Sequence, residues 1–224
     1  MVSQLAIPTK RDGFVFDPSL VLYLPLYELD GASFMSKDKH GHLCTKTGVP
    51  FWTPQGWELD GVGDKITVPN STVFPSSAGA FTYEVWFQAQ LQPGAVFGVI
   101  IGRGADTLRL QQAGTSAIGG IPANNLSFYT YSGGSHIDVG ITVVAGTYYH
   151  FCLTYGGVIF RSYVNNIATA TSTATPNQSG NLVIGASGST AYYKGKISEV
   201  RVYNRRLNPN EIMQNYSATK WRYR

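Results

Sequence analysis

The sequence predicts an all-β protein, a single antiparallel sandwich of two sheets with a short C-terminal helix. Three observations carry this. The 224 residues include 25 Gly and 11 Pro spread along the chain, and only 13% of side chains are charged. That composition suits many short strands joined by turns better than long amphipathic helices. Segment after segment alternates between apolar and polar residues with a period of two. The last fifth then reads as a small strand, Leu182-Val-Ile-Gly-Ala186, an alternating strand through residues 193–204, and a helix start.

Taken in order, residues 1–18 read as an extended arm ending in a turn at Asp17-Pro18. Residues 20–27 form a strand whose Pro25, lacking an N–H, implies a bulge or an edge. Residues 34–48 are polar and punctuated by glycine. Trp52 and Trp57 flank a turn containing Pro54 and Gly56, and residues 59–69 read as strand, glycine-assisted turn, strand. Residues 81–89 make the strongest strand pattern. Segments 96–102, 108–113, 126–131, 137–143, 148–155 and 158–164 continue it, and Asn165-Asn166 is a hairpin turn. Residues 168–181, rich in Ala, Thr, Ser and Asn, read as a loop or edge excursion.

In the last strand, strict alternation puts Ile197, Glu199, Arg201 and Tyr203 on one face and Ser198, Val200, Val202 and Asn204 on the other. Asn208 reads as a helix N-cap, Pro209 as the first helical residue, and Glu211 as the capping-box partner. No linker or internal repeat divides the chain. The organisation expected is an N-terminal arm (1–18), one sandwich (19–216) and a basic tail (217–224).

The formal charge is +4. Residues 194–224 carry eight Lys and Arg against Glu199 and Glu211, so the basic balance sits at the C-terminus. A docking or assembly tail accounts for this better than nucleic-acid binding, although Trp221 and Tyr223 interleave with the basic residues. The two cysteines, Cys44 and Cys152, are too few for a disulfide scaffold and read as buried thiols. There is no membrane-span pattern, and the first residues contain no hydrophobic signal core.

From about Leu20 to Tyr216 the order of landmarks resembles the laminin-G-like, concanavalin A-like (pentraxin-like) jelly rolls. Leu22-Tyr-Leu-Pro-Leu-Tyr-Glu28 looks like their first core strand, and Leu59-Asp-Gly-Val-Gly-Asp-Lys-Ile-Thr-Val68 like their Asp-Gly hairpin. Ala80-Phe-Thr-Tyr-Glu-Val-Trp-Phe87 matches a Phe-Thr-x-Glu-x-Trp strand. Tyr149-His-Phe-Cys-Leu-Thr-Tyr155 and Tyr163-Val-Asn165 match the pair that comes next. The resemblance implies a jelly-roll sandwich that works as a binding surface. Fold alone does not fix function, so the chemistry must come from sites.

Glycosidases need two carboxylates flanking the scissile bond. The strand at 81–89 offers only Glu84, and the strand at 193–204 only Glu199, so an enzyme is not expected. Calcium requires six to eight oxygens. Asp60 and Asp64 could supply two, but the loop Ala186-Ser-Gly-Ser-Thr-Ala191 lacks the carboxylates of a pentraxin-type paired site. His40, His42, Cys44, His136 and His150 lack a zinc-ligand spacing, and no G-x-S-x-G elbow is present. What remains is glycan contact through Trp52, Trp57, Tyr129, Tyr131, His136, Tyr192 and Tyr193, with Asn124, Asn125 and Asp138 as polar neighbours.

The function expected is non-catalytic surface recognition. Residues 211–220 look like the ends of such domains in phage and other viral particle proteins. This implies a virion decoration or host-attachment role at the virion surface or outside the cell, with glycan or particle-surface partners and self-association through the terminal arms. The alternatives are a secreted or cell-surface adhesion lectin and a divergent glycoside hydrolase.

Overall fold

The computed structural model describes residues 13–77, 79–94, 96–104, 108–130, 134–187 and 191–223. Residues 1–12, Tyr131 and Arg224 therefore lie outside the described residues, as do positions 188–190 of the loop before Ala191. The strands in chain order are β1 (Leu20–Pro25), β2 (Ser33–Met35), β3 (Leu43–Thr47), β4 (Phe51–Thr53), β5 (Gly56–Asp60), β6 (Lys65–Val68), β7 (Phe81–Ala89) and β8 (Phe97–Arg103). They continue with β9 (Leu108–Ala113), β10 (Asn125–Thr130), β11 (Ser135–Thr142), β12 (Tyr148–Tyr155), β13 (Phe160–Val164), β14 (Ile167–Ser172), β15 (Leu182–Ile184) and β16 (Lys194–Tyr203). One helix, α1 (Pro209–Thr219), and a 3-10 turn at Lys220–Tyr223 end the chain.

All the pairings are antiparallel and build two sheets. Sheet A runs β14-β13-β12-β7-β16-β5-β4, and β1 also pairs with β16. Sheet B runs β11-β10-β9-β8-β15-β6-β3-β2. Along β16, β5 takes Lys194–Ile197 while β1 takes Glu199–Tyr203, so β1 and β5 share one side of it. The sandwich core fills with the inward residues of both sheets, among them Leu22, Leu24, Phe81, Val85 and Phe87 from sheet A and Ile66, Leu110, Phe128 and Ile184 from sheet B. This two-sheet architecture is the predicted jelly-roll sandwich.

Several local expectations hold for clear reasons. Tyr149, Phe151, Leu153 and Tyr155 point into the core while Cys152 faces the other way. Asn165 and Asn166 both adopt positive φ (50° and 68°), as a two-residue hairpin turn of the primed type requires. Asn208 caps α1 through the amides of Asn210 and Glu211, and Glu211 returns the bond to the Asn208 amide, completing the capping box. Both cysteines are buried, free thiols.

Four expectations change or narrow. The alternation in β16 does not run through Ile197. A bulge between Ile197 and Glu199 shifts the register, so Ile197 faces the core with Val200 and Val202 while Glu199 and Arg201 face outward. Gly56 makes room for that bulge. A Cβ there would collide with the Ile197 carbonyl oxygen, at a φ of +126°. Second, the polar stretch at 34–48 contains β3 and most of β2, and Cys44 lies within β3. Third, of the two readings left open for residues 168–181, the edge one holds at the start, where residues 167–172 form the edge strand β14 with Thr and Ala alternating and no strong apolar face. Fourth, the sandwich boundary expected at residue 216 falls inside a helix, and the end of the chain packs on sheet A. Helix α1 runs past residue 216, and Tyr223 is buried against Trp86 with ring centroids 4.5 Å apart. Residues 13–15 also pack inward, with Phe14 and Val15 against Leu20, Tyr203 and Ile212.

Candidate functional site

The outer face of sheet A holds the two carboxylates that a glycosidase reading would need. Glu84 of β7 and Glu199 of β16 both grip the Arg201 guanidinium, with Arg201 Nη1 donating to Glu84 Oε2 at 3.3 Å and Nη2 donating to Glu199 Oε1. All three side chains are 1% exposed. Helix α1 and the 3-10 turn seal the face. Asn215 Nδ2 donates to Glu84 Oε2 at 2.8 Å, Tyr223 OH donates to Glu199 Oε2 at 3.1 Å, and Trp86 Nε1 donates to Thr219 Oγ1 at 2.9 Å.

His150 completes the cluster, its Nε2 lying 3.9 Å from Glu84 Oε1. Burial, helped by the Arg201 charge, pushes His150 down to about 3, so the ring stays neutral. Burial raises Glu84, against the pull of Arg201 and Asn215. These carboxylates are committed to one guanidinium beneath a helix and do not line a cleft.

The outer face of sheet B is built differently. Arg109 and Gln111 alternate with Leu108 and Leu110 on β9, so the two leucines enter the core and the polar pair faces out. Tyr129 pairs across from both Arg109 of β9 and His136 of β11. The Arg109 guanidinium lies 4.2 Å over the Tyr129 ring, and the Tyr129 ring lies 4.7 Å from the ring of His136.

His136 then stacks on Phe97 at 4.4 Å with the planes 13° apart. β8 and β11 are separated by β10 and β9, which at about 4.8 Å per strand puts them some 14 Å apart along a flat sheet. The ring contact therefore requires this face to curve inward, with side chains from four strands converging over β9 and β10. The Ile118–Ile121 turn closes one side of the cluster. Gly119 lies so near the ring that a Cβ there would sit 2.9 Å from His136 Cδ2. Buried Gln111 underlies the cluster, its Nε2 bonded to His136 Nδ1 at 2.7 Å and donating to Ser127 Oγ at 3.1 Å. Burial, with Arg109 adding to it, lowers the His136 pKa.

The residues singled out from sequence separate into groups. Tyr129 and His136 come together on this concave face, half-buried, whereas Tyr131 lies outside the described residues. Trp57 is instead a core residue, 2% exposed, its Nε1 donating to the Leu29 carbonyl at 2.7 Å. Tyr193 is likewise interior, its hydroxyl donating to the Gln88 carbonyl. Both sit at strand starts, and the sandwich needs their bulk between the sheets. Trp52 is half-buried against the core with Nε1 donating to the Leu26 carbonyl. Tyr192 is half-buried next to Ala191, whose carbonyl accepts the Val99 N–H.

Asn125 and Asp138 are bonded to each other, Asn125 Nδ2 reaching both carboxylate oxygens at 3.1 Å. They brace the bulge between Asn125 and Ser127. Phe97, Arg109 and Gln111 were missed from sequence, where only the outward alternation of Arg109 and Gln111 hinted at them.

Asp60 and Asp64 serve the β5–β6 turn. Asp60 Oδ1 accepts the amides of Val62 and Gly63, while the two oxygens of Asp64 accept those of Val49 and Asp60. Among the described residues, no group of three or more His, Cys, Asp or Glu side chains is gathered for a metal ion. An open groove of about 440 Å³ lies at the end of β5 and β16, lined by Glu58, Leu59, Asp60, Gln90, Lys194 and Gly195. Among the described residues, no helix is long and apolar enough to cross a membrane.

Comparison with known proteins agrees with this architecture. The structure superposes on Trypanosoma rangeli sialidase with a TM-score of 0.70 at 17% identity, covering 91% of this chain and 33% of that one. It matches the receptor binding domain of botulinum neurotoxin C/D mosaic serotype (TM-score 0.67, 11% identity, 90% of this chain and 51% of that one). The binding domain of Paraclostridial Mosquitocidal Protein 1 matches similarly (TM-score 0.67, 11% identity, 91% and 52%). The chain thus spans between a third and about half of these structures, and at such identities the likeness is one of fold. No curated protein sequence matches the chain. The laminin-G-type family model described as "Concanavalin A-like lectin/glucanases superfamily" matches residues 60–213, and with that span covering most of a sandwich of this form, the chain belongs to that superfamily.

Proposed function

We propose that this protein is a non-catalytic recognition module that binds glycan on the concave face of sheet B. The convergence of Arg109, Tyr129, His136 and Phe97 over β9 and β10 is the observation that carries the reading. A sugar needs an apolar ring to stack on and directional polar groups around it. Tyr129 supplies the ring, and Arg109 and His136 supply the polar groups. The non-catalytic part rests on the other face, where Glu84 and Glu199 are spent on Arg201 under α1. The likeness to toxin binding domains supports a binding role without naming a ligand. Calcium has no part in this reading, because Asp60 and Asp64 hold backbone amides.

We extend the proposal to placement on a viral particle, as a decoration or host-attachment component. Its support is the resemblance of residues 211–220 to the ends of particle-protein domains. Assembly there would use surfaces other than residues 13–15 and Tyr223, which are engaged within the chain.

A glycan array probed with the wild-type chain and with Tyr129→Ala tests the recognition reading. The expected result is a defined set of glycans bound by the wild type and lost in the variant. An array with no hits, or hits that survive the substitution, would sink it.

A further inference from the structure

We propose that Gln111 is a positioning residue of the concave face: its amide N–H donates to Nδ1 of His136 and so fixes the ring as the Nε2–H tautomer. The site then offers a neutral N–H donor to an oxygen acceptor on its ligand. The ligand half of this statement rests on the glycan reading of the same face, whereas the tautomer does not.

The geometry constrains the assignment. Gln111 is fully buried, and its Nε2 meets two partners, Ser127 Oγ at 3.1 Å and His136 Nδ1 at 2.7 Å. Two amide hydrogens serve those two acceptors. Among the described residues, Oε1 of Gln111 then remains without a partner. Reversing the amide would turn Oε1 toward His136 and Ser127 and leave both N–H hydrogens where one acceptor now stands alone. Two orphaned buried donors cost more than one under-used acceptor. With Nδ1 accepting, the single proton of a neutral imidazole must sit on Nε2.

The surroundings disfavour a charged ring. His136 is packed against Phe97 of β8, Tyr129 of β10 and the Gly119 turn, none of which carries a negative charge. Arg109 of β9 opposes protonation, and Asp138, two residues along β11, is bonded to Asn125 and the Gly140 amide. A neutral donor of fixed orientation selects for an acceptor oxygen, and a ring free to exchange tautomers would not.

Long-range proton–nitrogen NMR on the imidazole rings of the full chain tests this directly at about pH 8, above the range where a free histidine titrates. The expected spectrum shows His136 with Nε2 protonated and Nδ1 bare. A spectrum with the proton on Nδ1, or with averaged tautomers, overturns the proposal. Gln111→Glu replaces the donor with a carboxylate, so the ring should move its proton to Nδ1 or become doubly protonated. An unchanged ring in that variant overturns the proposal as well. Should Gln111→Glu not fold, Gln111→Met, which cannot donate, must give mixed tautomers.

Where Gln111→Glu moves the proton to Nδ1, affinity for any glycan the wild type binds should fall by about tenfold, the equivalent of one lost hydrogen bond. Affinity unchanged while the tautomer flips would remove the positioning role. A wild-type ring in the Nε2–H form, in a protein that binds no glycan, would leave the tautomer assignment intact and defeat only the glycan reading.

Discussion

On the outer face of sheet A, Glu84, Glu199, Arg201 and His150 are shut beneath α1 and Tyr223, all of them 1% exposed or less. On the outer face of sheet B, Arg109, Tyr129 and His136 stand half-buried and reach toward one another across the curvature of the sheet. Both faces join aromatic rings to charged or polar groups, yet only the sheet A cluster is fully buried. The difference comes from the chain beyond β16. Asn208 starts a helix that crosses sheet A and converts its polar groups into internal ties. On sheet B, the short Ile118–Ile121 turn borders the cluster, with Gly119 against the His136 ring. A residue type that signals recognition in a sequence is therefore informative only once its cover is known.

The largest effect should come from removing the shared cation. Arg201→Met leaves two buried carboxylates without their partner and should destabilise the fold by about 3–5 kcal/mol. Denaturant unfolding measures this, and a loss below about 1 kcal/mol would show that the sheet A cluster is not an internal tie. Next in size, Tyr223→Ala removes the ring on Trp86 and the bond to Glu199, and should cost about 3 kcal/mol. If the last turn were a loose tail, that substitution would be silent.

The third effect depends on pH. His150 stays neutral in the fold down to about 3 but takes up a proton near 6.5 when unfolded. The unfolded chain therefore binds more protons between those values. The His150 contribution is intact above about pH 6.5 and is lost as pH falls, by up to about 1.4 kcal/mol per unit. The raised Glu84 pKa works in the opposite direction, so the measurement is the difference between wild type and His150→Phe. The variant should gain relative to wild type as the solution is acidified from pH 7 to 5. A constant difference would mean that His150 is already charged in the fold. The smallest effect belongs to sheet B. Tyr129→Ala should change stability by no more than about 1 kcal/mol, because the ring is half-buried at the surface. A large loss would make the concave cluster structural, like its counterpart on sheet A.

Much of the sandwich was legible because period-two alternation is a direct consequence of strand geometry. Tyr149, Phe151, Leu153 and Tyr155 declared the core face of β12, and Asn208, Pro209 and Glu211 declared the helix start. The bulge at Ile197 was not legible, because its cause is the close approach of Gly56 on another strand. β14 was legible only as a loop or edge excursion, since its Ala and Thr residues bury no distinct face. Of the candidate site, Tyr129 was legible as an aromatic in a loop-like or edge position and His136 as a polar neighbour. Trp57 and Tyr193 looked the same in sequence and proved to be core, because burial depends on the opposing sheet. Phe97 and Gln111 joined the cluster only through the curvature of sheet B, a long-range property that no local pattern encodes.

The most direct test of the central claim is backbone amide chemical-shift mapping of the labelled chain, titrated with the best glycan from an array. Binding on the sheet B face gives saturable shifts confined to β8–β11 and the Ile118–Ile121 turn, with sheet A and α1 unmoved. Shifts centred on the Glu58–Lys194 groove or on α1 would contradict it and move the binding site to the other sheet.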